Sequence, residues 1–328
     1  MNQPLSGSLV LSKAITSFKS AQGLSDRTID SYQRHLQKWI QHQADIPIHQ
    51  IISRDITAYL DWLRSEYVPH RFGKGNEPLS PKTLRNIWVT FSAFFTWATK
   101  EFEIPNPMVN VPAPHFTVAP VEPFTQGEVQ AMLKVCVYSK EVQPDNRKSF
   151  VMRLPNGHRD QAILLLLVDT GLRAMELCSL RIRNVDLKTG KAEIEKGVSG
   201  GAKGGKGRVV YLGKASRRAL WRYLVEREDG EDPDSFVFLA RGNRPFNPNS
   251  LRQLIQGIAE RAAVQNAYPH RFRHTFAITY LRSGGDVFTL QALLGHNSLD
   301  MVRRYARIAE LDVEKAHRRA SPADNWRL

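Results

Sequence analysis

Apolar residues recur every three or four positions through much of the first hundred residues. In LSDRTIDSYQRHLQKWIQH, Ile29, Tyr32, Leu36, Trp39 and Ile40 share one face of a 3.6-residue period, and Ser25 stands where a helix N-cap belongs. The pattern returns in SPKTLRNIWVTFSAFFTWATKEF. There Ser80 can cap, Pro81 suits the first turn, and Leu84, Ile87, Trp88, Phe91, Phe95 and Ala98 form one stripe. These aromatics read as core and not as platforms for stacking bases. The helical period then stops: six prolines fall between Ile104 and Pro123, favouring extended chain. Helix resumes where Thr125 and Glu128 offer a capping box ahead of Val129, Met132 and Leu133. The pattern divides the chain into a helical domain over 1–112, a Pro-rich linker over 113–123 and a larger domain over 124–328.

The larger domain opens helical and changes period at KAEIEKGVSGGAKGGKGRVVYLG. Ala192 to Glu195 and Arg208 to Leu212 predict two short strands joined as a hairpin by a Gly/Lys-rich turn. A helix is expected around Lys214 to Arg227, and SFVFLA is a candidate third strand. The rest reads as helices punctuated by Asn247-Pro248, Gly284-Gly285 and Gly295. The expected fold class is mainly α with a small antiparallel β-sheet.

Composition narrows the function. A length of 328 residues suits two domains, and 46 Lys and Arg against 32 Asp and Glu leave a net charge of +14. Only +3 of that falls within residues 1–115, so the excess is concentrated in the larger domain and favours a polyanionic partner. The two cysteines, Cys136 and Cys178, exclude a disulfide framework and a four-cysteine zinc site, and fit a reducing cytoplasm. The most apolar run, AILLLLV at 162–168, is far short of a bilayer span, and the N-terminus lacks a signal-peptide pattern. A soluble, cytoplasmic protein without membrane contact is expected.

Two familiar chemistries fail on inspection. Gly200 and Gly205-Lys206 begin a phosphate loop, but Gly207 replaces the hydroxyl that would hold magnesium, and a strand pattern follows instead of a helix. His270 and His274, with His296, imitate a zinc site, but Arg271 and Arg273 beside them oppose a dication and no glutamate stands between. What remains is an Arg, a Lys, a His-x-x-Arg, a His and a Tyr, in that order. Arginine grips phosphate oxygens with a charged fork, histidine moves protons near neutral pH, and a tyrosine hydroxyl can form a covalent ester. Together they form a metal-free phosphoryl-transfer set. A lone Tyr305 between Arg303, Arg304 and Arg307 would otherwise pass as a packed aromatic on an amphipathic helix.

DTGLRAMEL (169–177), PHRFRHTFA (269–277), LGH (294–296) and Tyr305, nine residues after His296, resemble the boxes of the tyrosine recombinase, or phage integrase, family in its simpler, Xer-like or transposon-encoded form. Each box is weak alone; four in order with a Lys-bearing hairpin between the first two are specific. The resemblance covers nearly the whole chain. It implies a helical core-binding (SAM-like) domain followed by a mixed α/β tyrosine recombinase catalytic domain. It also implies that Arg173 and Arg273 clamp the scissile phosphate, that Glu176 buttresses the site, and that His270 assists proton movement while His296 bonds the phosphate. Tyr305 then attacks to leave a 3′-phosphotyrosine. Lys203 protonates the leaving 5′ oxygen, with Lys206 as the alternative acid. No metal, ATP or other cofactor is implied. The implied partner is double-stranded DNA, with a tetramer on two DNA sites, nucleoid association, and a C-terminal tail exchanged in trans through Leu311, Val313 and Ala316.

Phe272 and Met175 depart from the commonest family residues in ways compatible with packing. With about ten residues ahead of the first helical pattern, an additional arm-binding domain is not expected. A type IB topoisomerase shares this residue set, and a silent DNA-binding regulator shares the fold. The separate helical domain and the box spacings favour recombination over the first, and the intact set argues against the second.

Overall fold

The computed structural model describes residues 9–21, 23–69, 77–117, 121–138, 151–195, 207–296, 305, 317 and 321–323. Lys203, Lys206 and the tail positions Leu311, Val313 and Ala316 lie outside the described residues. The chain divides into two compact units, Met1–Ala119 and Pro120–Leu328, the division falling inside the Pro-rich stretch.

The first unit is helical: α1 (Leu11–Ala21), α2 (Asp26–Gln43), α3 (Ser53–Ser65) and α4 (Pro81–Phe102). Two of the expected caps form, Ser25 accepting from the Thr28 amide and Ser80 from that of Thr83, with Pro81 in the first turn. Leu36, Trp39, Tyr59, Phe91, Phe94 and Phe95 are buried together, Trp39 meeting Phe91 edge-on with ring centroids 4.9 Å apart. The aromatic stripe is core, as its period predicts.

In the second unit, α5 (Gln126–Val137), α6 (Gly157–Thr170) and α7 (Ala174–Ser179) precede the hairpin of β1 (Lys191–Ile194) and β2 (Arg208–Tyr211). Then come α8 (Lys214–Val225), β3 (Leu239–Ala240), β4 (Arg244–Pro245), α9 (Pro248–Arg261), α10 (Pro269–Arg282) and α11 (Val287–Leu294). The AILLLLV run is the middle of α6, which packs against α5, α8 and α10 and is apolar on most sides because it is covered on most sides. Thr125 and Glu128 make their capping box at the start of α5.

The hairpin is antiparallel, with Lys191 opposite Tyr211 and Ile194 opposite Arg208, one residue from the expected edges. SFVFLA departs from expectation. Leu239 and Ala240 pair with Arg244 and Pro245, away from the β1–β2 hairpin, and Phe236 makes an isolated antiparallel bridge to Arg181. Val237 and Phe238 are buried, and the Val237 amide donates to the Leu180 carbonyl. The apolar run therefore records burial, and not membership of a third strand in one sheet.

Candidate active site

Arg173 and His296 lie at helix ends and His270 in the first turn of a helix, and local chemistry explains why. Gly171 ends α6 in the left-handed region at φ 62°, where a Cβ would come within 2.6 Å of the Phe276 ring. The chain then turns at once into α7, with Arg173 as its N-cap residue. Glu176 occupies the third position of that helix. From there its carboxylate reaches back to the Arg173 amide at 2.8 Å and to its guanidinium at 3.0 Å, so the three-residue spacing is that of a capping box.

Pro269 starts α10, and His270, Arg273 and His274 follow at helical spacing on one side. Arg271 points elsewhere. It donates to the carbonyls of Glu122 and Gln265 and pairs with Glu128, while Thr275 accepts from the Phe124 amide, tying α10 to the start of the unit. Arg271 thus serves structure and Arg273 the site, two residues apart.

Asp286 caps α11, and Gly295 ends it with a left-handed turn at φ 62° that delivers His296. A helix C-terminus leaves carbonyls without partners and carries partial negative charge. Three arginines from three different elements meet it. Arg208 Nε donates to the Leu293 carbonyl at 2.6 Å, Arg273 Nη2 to that of Leu294 at 2.6 Å, and Arg173 Nη2 to that of Gly295 at 3.4 Å. Arg273 also donates to the Gly171 carbonyl at 2.8 Å and to His296 Nε2 at 2.8 Å.

Exposure divides the cations. The Arg173 side chain is 33% exposed, Arg208 9% and Glu176 0%, while Arg273 is fully buried. Burial alone would raise the Glu176 carboxyl, but its paired bonds to Arg208, with those to Arg173, override this and hold it at about 2. Burial also works against the charge of Arg273, as does Arg173 beside it. Its carbonyl acceptors offset that cost, and the guanidinium keeps its proton.

Tyr305, 1% exposed, packs with Ala277, Ile278, Leu281, Leu290 and Leu294. Its ring lies nearly parallel to His296 at 6.2 Å and edge-on to His274 at 5.2 Å, and His274 in turn meets His270 at 4.5 Å. Among the described residues its hydroxyl has no hydrogen-bond partner. Burial raises the phenol above its ordinary range, and Arg273 and Arg173 pull it back.

The structure therefore brings together Arg173, Glu176, Arg273, His270, His296 and Tyr305, residues read from four separate boxes. Sequence reasoning missed Arg208, whose only signal was an arginine opening the second strand. It also passed over His274 as a contact of Tyr305, having weighed it only as a metal ligand. Among the described residues no group of three or more His, Cys, Asp or Glu side chains is placed to hold a metal ion. No described helix is long and apolar enough to cross a membrane.

Comparison with known proteins gives one consistent answer. Residues 124–311 match the model of the phage integrase family, and residues 16–102 that of the phage integrase N-terminal SAM-like domain. The tyrosine recombinase XerC of Staphylococcus epidermidis is 27% identical over 309 residues, 93% of this chain and 94% of that protein. The tyrosine recombinase XerD of Xanthomonas axonopodis pv. citri is 27% identical over 330 residues, 96% of this chain and 97% of that protein. Among solved structures, the Tn1549 transposon integrase in complex with a circular intermediate DNA superposes with a TM-score of 0.70 at 17% identity, over 91% of this chain and 95% of that one.

Proposed function

This chain is a tyrosine-type site-specific recombinase of the phage integrase family, and from that premise we propose that Tyr305 is its nucleophile and double-stranded DNA its substrate. The phenol oxygen bonds to the scissile phosphorus, the bond from phosphorus to the 5′ oxygen breaks, and a 3′-phosphotyrosine and a free 5′-hydroxyl result. A 5′-hydroxyl from the other duplex then attacks the phosphotyrosine and releases Tyr305. One phosphodiester replaces another, so the exchange needs no energy-rich cofactor.

Arg173 and Arg273 stabilise the charge that gathers on the nonbridging oxygens. Arg173 keeps the more accessible guanidinium, and Arg273 is held from behind by the Gly171 and Leu294 carbonyls. Arginine only donates, so His296 Nε2 accepts from Arg273 and the neutral ring carries its proton on Nδ1, which has no partner among the described residues. That N–H is the donor the phosphate meets. His270 assists proton movement at the phenol, and Lys203, or Lys206 in its place, supplies the proton for the 5′ oxygen.

The helical unit and the basic larger unit both bind DNA, with four protomers on two sites and the tail docked on a neighbour. The protein works in the cytoplasm, where the nucleoid lies. The observation that carries this reading is the meeting of two phosphate-clamp arginines and His296 around Tyr305. A nicked suicide substrate tests it. Wild type forms a covalent adduct in the presence of EDTA and Tyr305→Phe forms none; an adduct retained by Tyr305→Phe overturns the assignment.

A further inference from the structure

We propose that Arg208 is a positioning residue of the recombination site: it aligns Arg173 for the scissile phosphate by fixing both the Glu176 carboxylate and the C-terminal end of α11, without contacting DNA itself. The inference rests on the reading of Arg173 as a phosphate clamp.

The Glu176 carboxylate is fully occupied. Oε1 accepts from Arg173 Nη1 at 3.0 Å and Arg208 Nη1 at 2.7 Å; Oε2 accepts from the Arg173 amide at 2.8 Å and Arg208 Nη2 at 2.7 Å. Two oxygens provide about four acceptor positions, and all four are taken. The Arg208 bond is the bidentate fork, which sets the plane of the carboxylate as well as its place. That plane determines where the second acceptor direction of Oε1, the one Arg173 uses, points, and hence where the Arg173 guanidinium rests.

A second contact of Arg208 is independent of Glu176. Its Nε donates to the Leu293 carbonyl, and a Cβ placed on Gly295 would lie 3.0 Å from Arg208 Cδ. The stem of Arg208 thus runs against the turn that delivers His296. One side chain, anchored on the first residue of β2, holds the mount of Arg173 and the mount of His296 together. Each of its three guanidinium nitrogens already donates within the protein, to the Leu293 carbonyl or to Glu176, which sets it apart from the arginines whose donors are turned to a phosphate.

Three measurements on the full chain separate this role from its competitors: single-turnover cleavage of the suicide substrate, affinity for one half-site, and the thermal midpoint. Arg208→Lys keeps the charge but not the fork. It is expected to cleave about 10- to 100-fold more slowly, the penalty of a misplaced reacting group, with half-site affinity within about twofold of wild type. In an Arg173→Lys background the same change is expected to cost less than about twofold more, since the group it positions is already altered. Wild-type cleavage by Arg208→Lys overturns the proposal. So does a multiplicative loss in the Arg173→Lys background, and so does a fall in half-site affinity equal to the fall in rate, which would make Arg208 a DNA contact. Should Arg208→Lys fail to fold, the charge-balanced pair Arg208→Met with Glu176→Gln takes its place with the same expectations. Failure of the recombination reading looks different: wild type itself then forms no adduct, or Arg173→Lys cleaves at the wild-type rate.

Discussion

At His274 and His296, burial decides the protonation state before any substrate arrives. Desolvation lowers both rings to about 4, helped by His270 and Arg273 at His274 and by Arg273 and Arg173 at His296. Both are neutral at pH 7, which suits His296 as an acceptor for Arg273 and a donor to phosphate. The same shift has a stability consequence with a definite sign. The unfolded ring titrates near 6.5, so between pH 6.5 and about 4 the unfolded chain binds protons that the folded one refuses. Stability present above pH 6.5 is therefore lost as pH falls through that window. Thermal midpoints of wild type and His274→Gln across pH 4 to 7 check this: the wild-type midpoint should fall more steeply below 6.5, and parallel curves would show that His274 is not held neutral. At this scale the proximity of Arg173, Arg273, His296 and Tyr305 was expected from the resemblance of their boxes to the family's, because each box is a local stretch of sequence. Arg208 was not, because its partners lie 32 residues before it and 85 after it, and only tertiary structure joins them.

Two helices end in glycine so that the chain can turn straight into the site. Gly171 closes α6 two residues before Arg173, and Gly295 closes α11 one residue before His296, both in the left-handed region. At Gly171 a side chain meets Phe276 at 2.6 Å and Leu294 at 2.9 Å, so strain and collision add. Gly171→Ala should cost about 1–3 kcal/mol in backbone strain alone, lowering the thermal midpoint by several degrees, and should slow cleavage because the Gly171 carbonyl holds Arg273. An unchanged midpoint with full cleavage would remove this role from the glycine. The helices themselves were read well from the sequence, since apolar stripes and caps are short-range signals: Ser25, Ser80 and Thr125 all cap as expected. The strand expected at SFVFLA forms only at its last two residues, in a separate two-stranded sheet, and for a physical reason. A short apolar run reports only that it is buried, and here Val237 and Phe238 fill the core while most of the run makes no ladder.

On the scale of the whole molecule, a charge of +14, most of it beyond residue 115, matches a partner bound mainly through phosphates, with affinity that falls steeply with salt. The proposed tetramer would be held through the tail, which carries the apolar residues Leu311, Val313 and Ala316. Deleting 311–328 should leave single half-site binding intact and abolish cooperative pairing of sites in a gel-shift titration; unchanged cooperativity would show that the tail stays on its own protomer. All of this depends on the covalent step. Its most direct measurement is to trap the adduct on a suicide substrate, digest protein and DNA, and identify by mass the peptide carrying the nucleotide remnant. The account predicts a single modified peptide containing Tyr305, with the remnant joined through its 3′-phosphate to the phenol oxygen; a remnant on any other residue, or one joined through a 5′-phosphate, would contradict it.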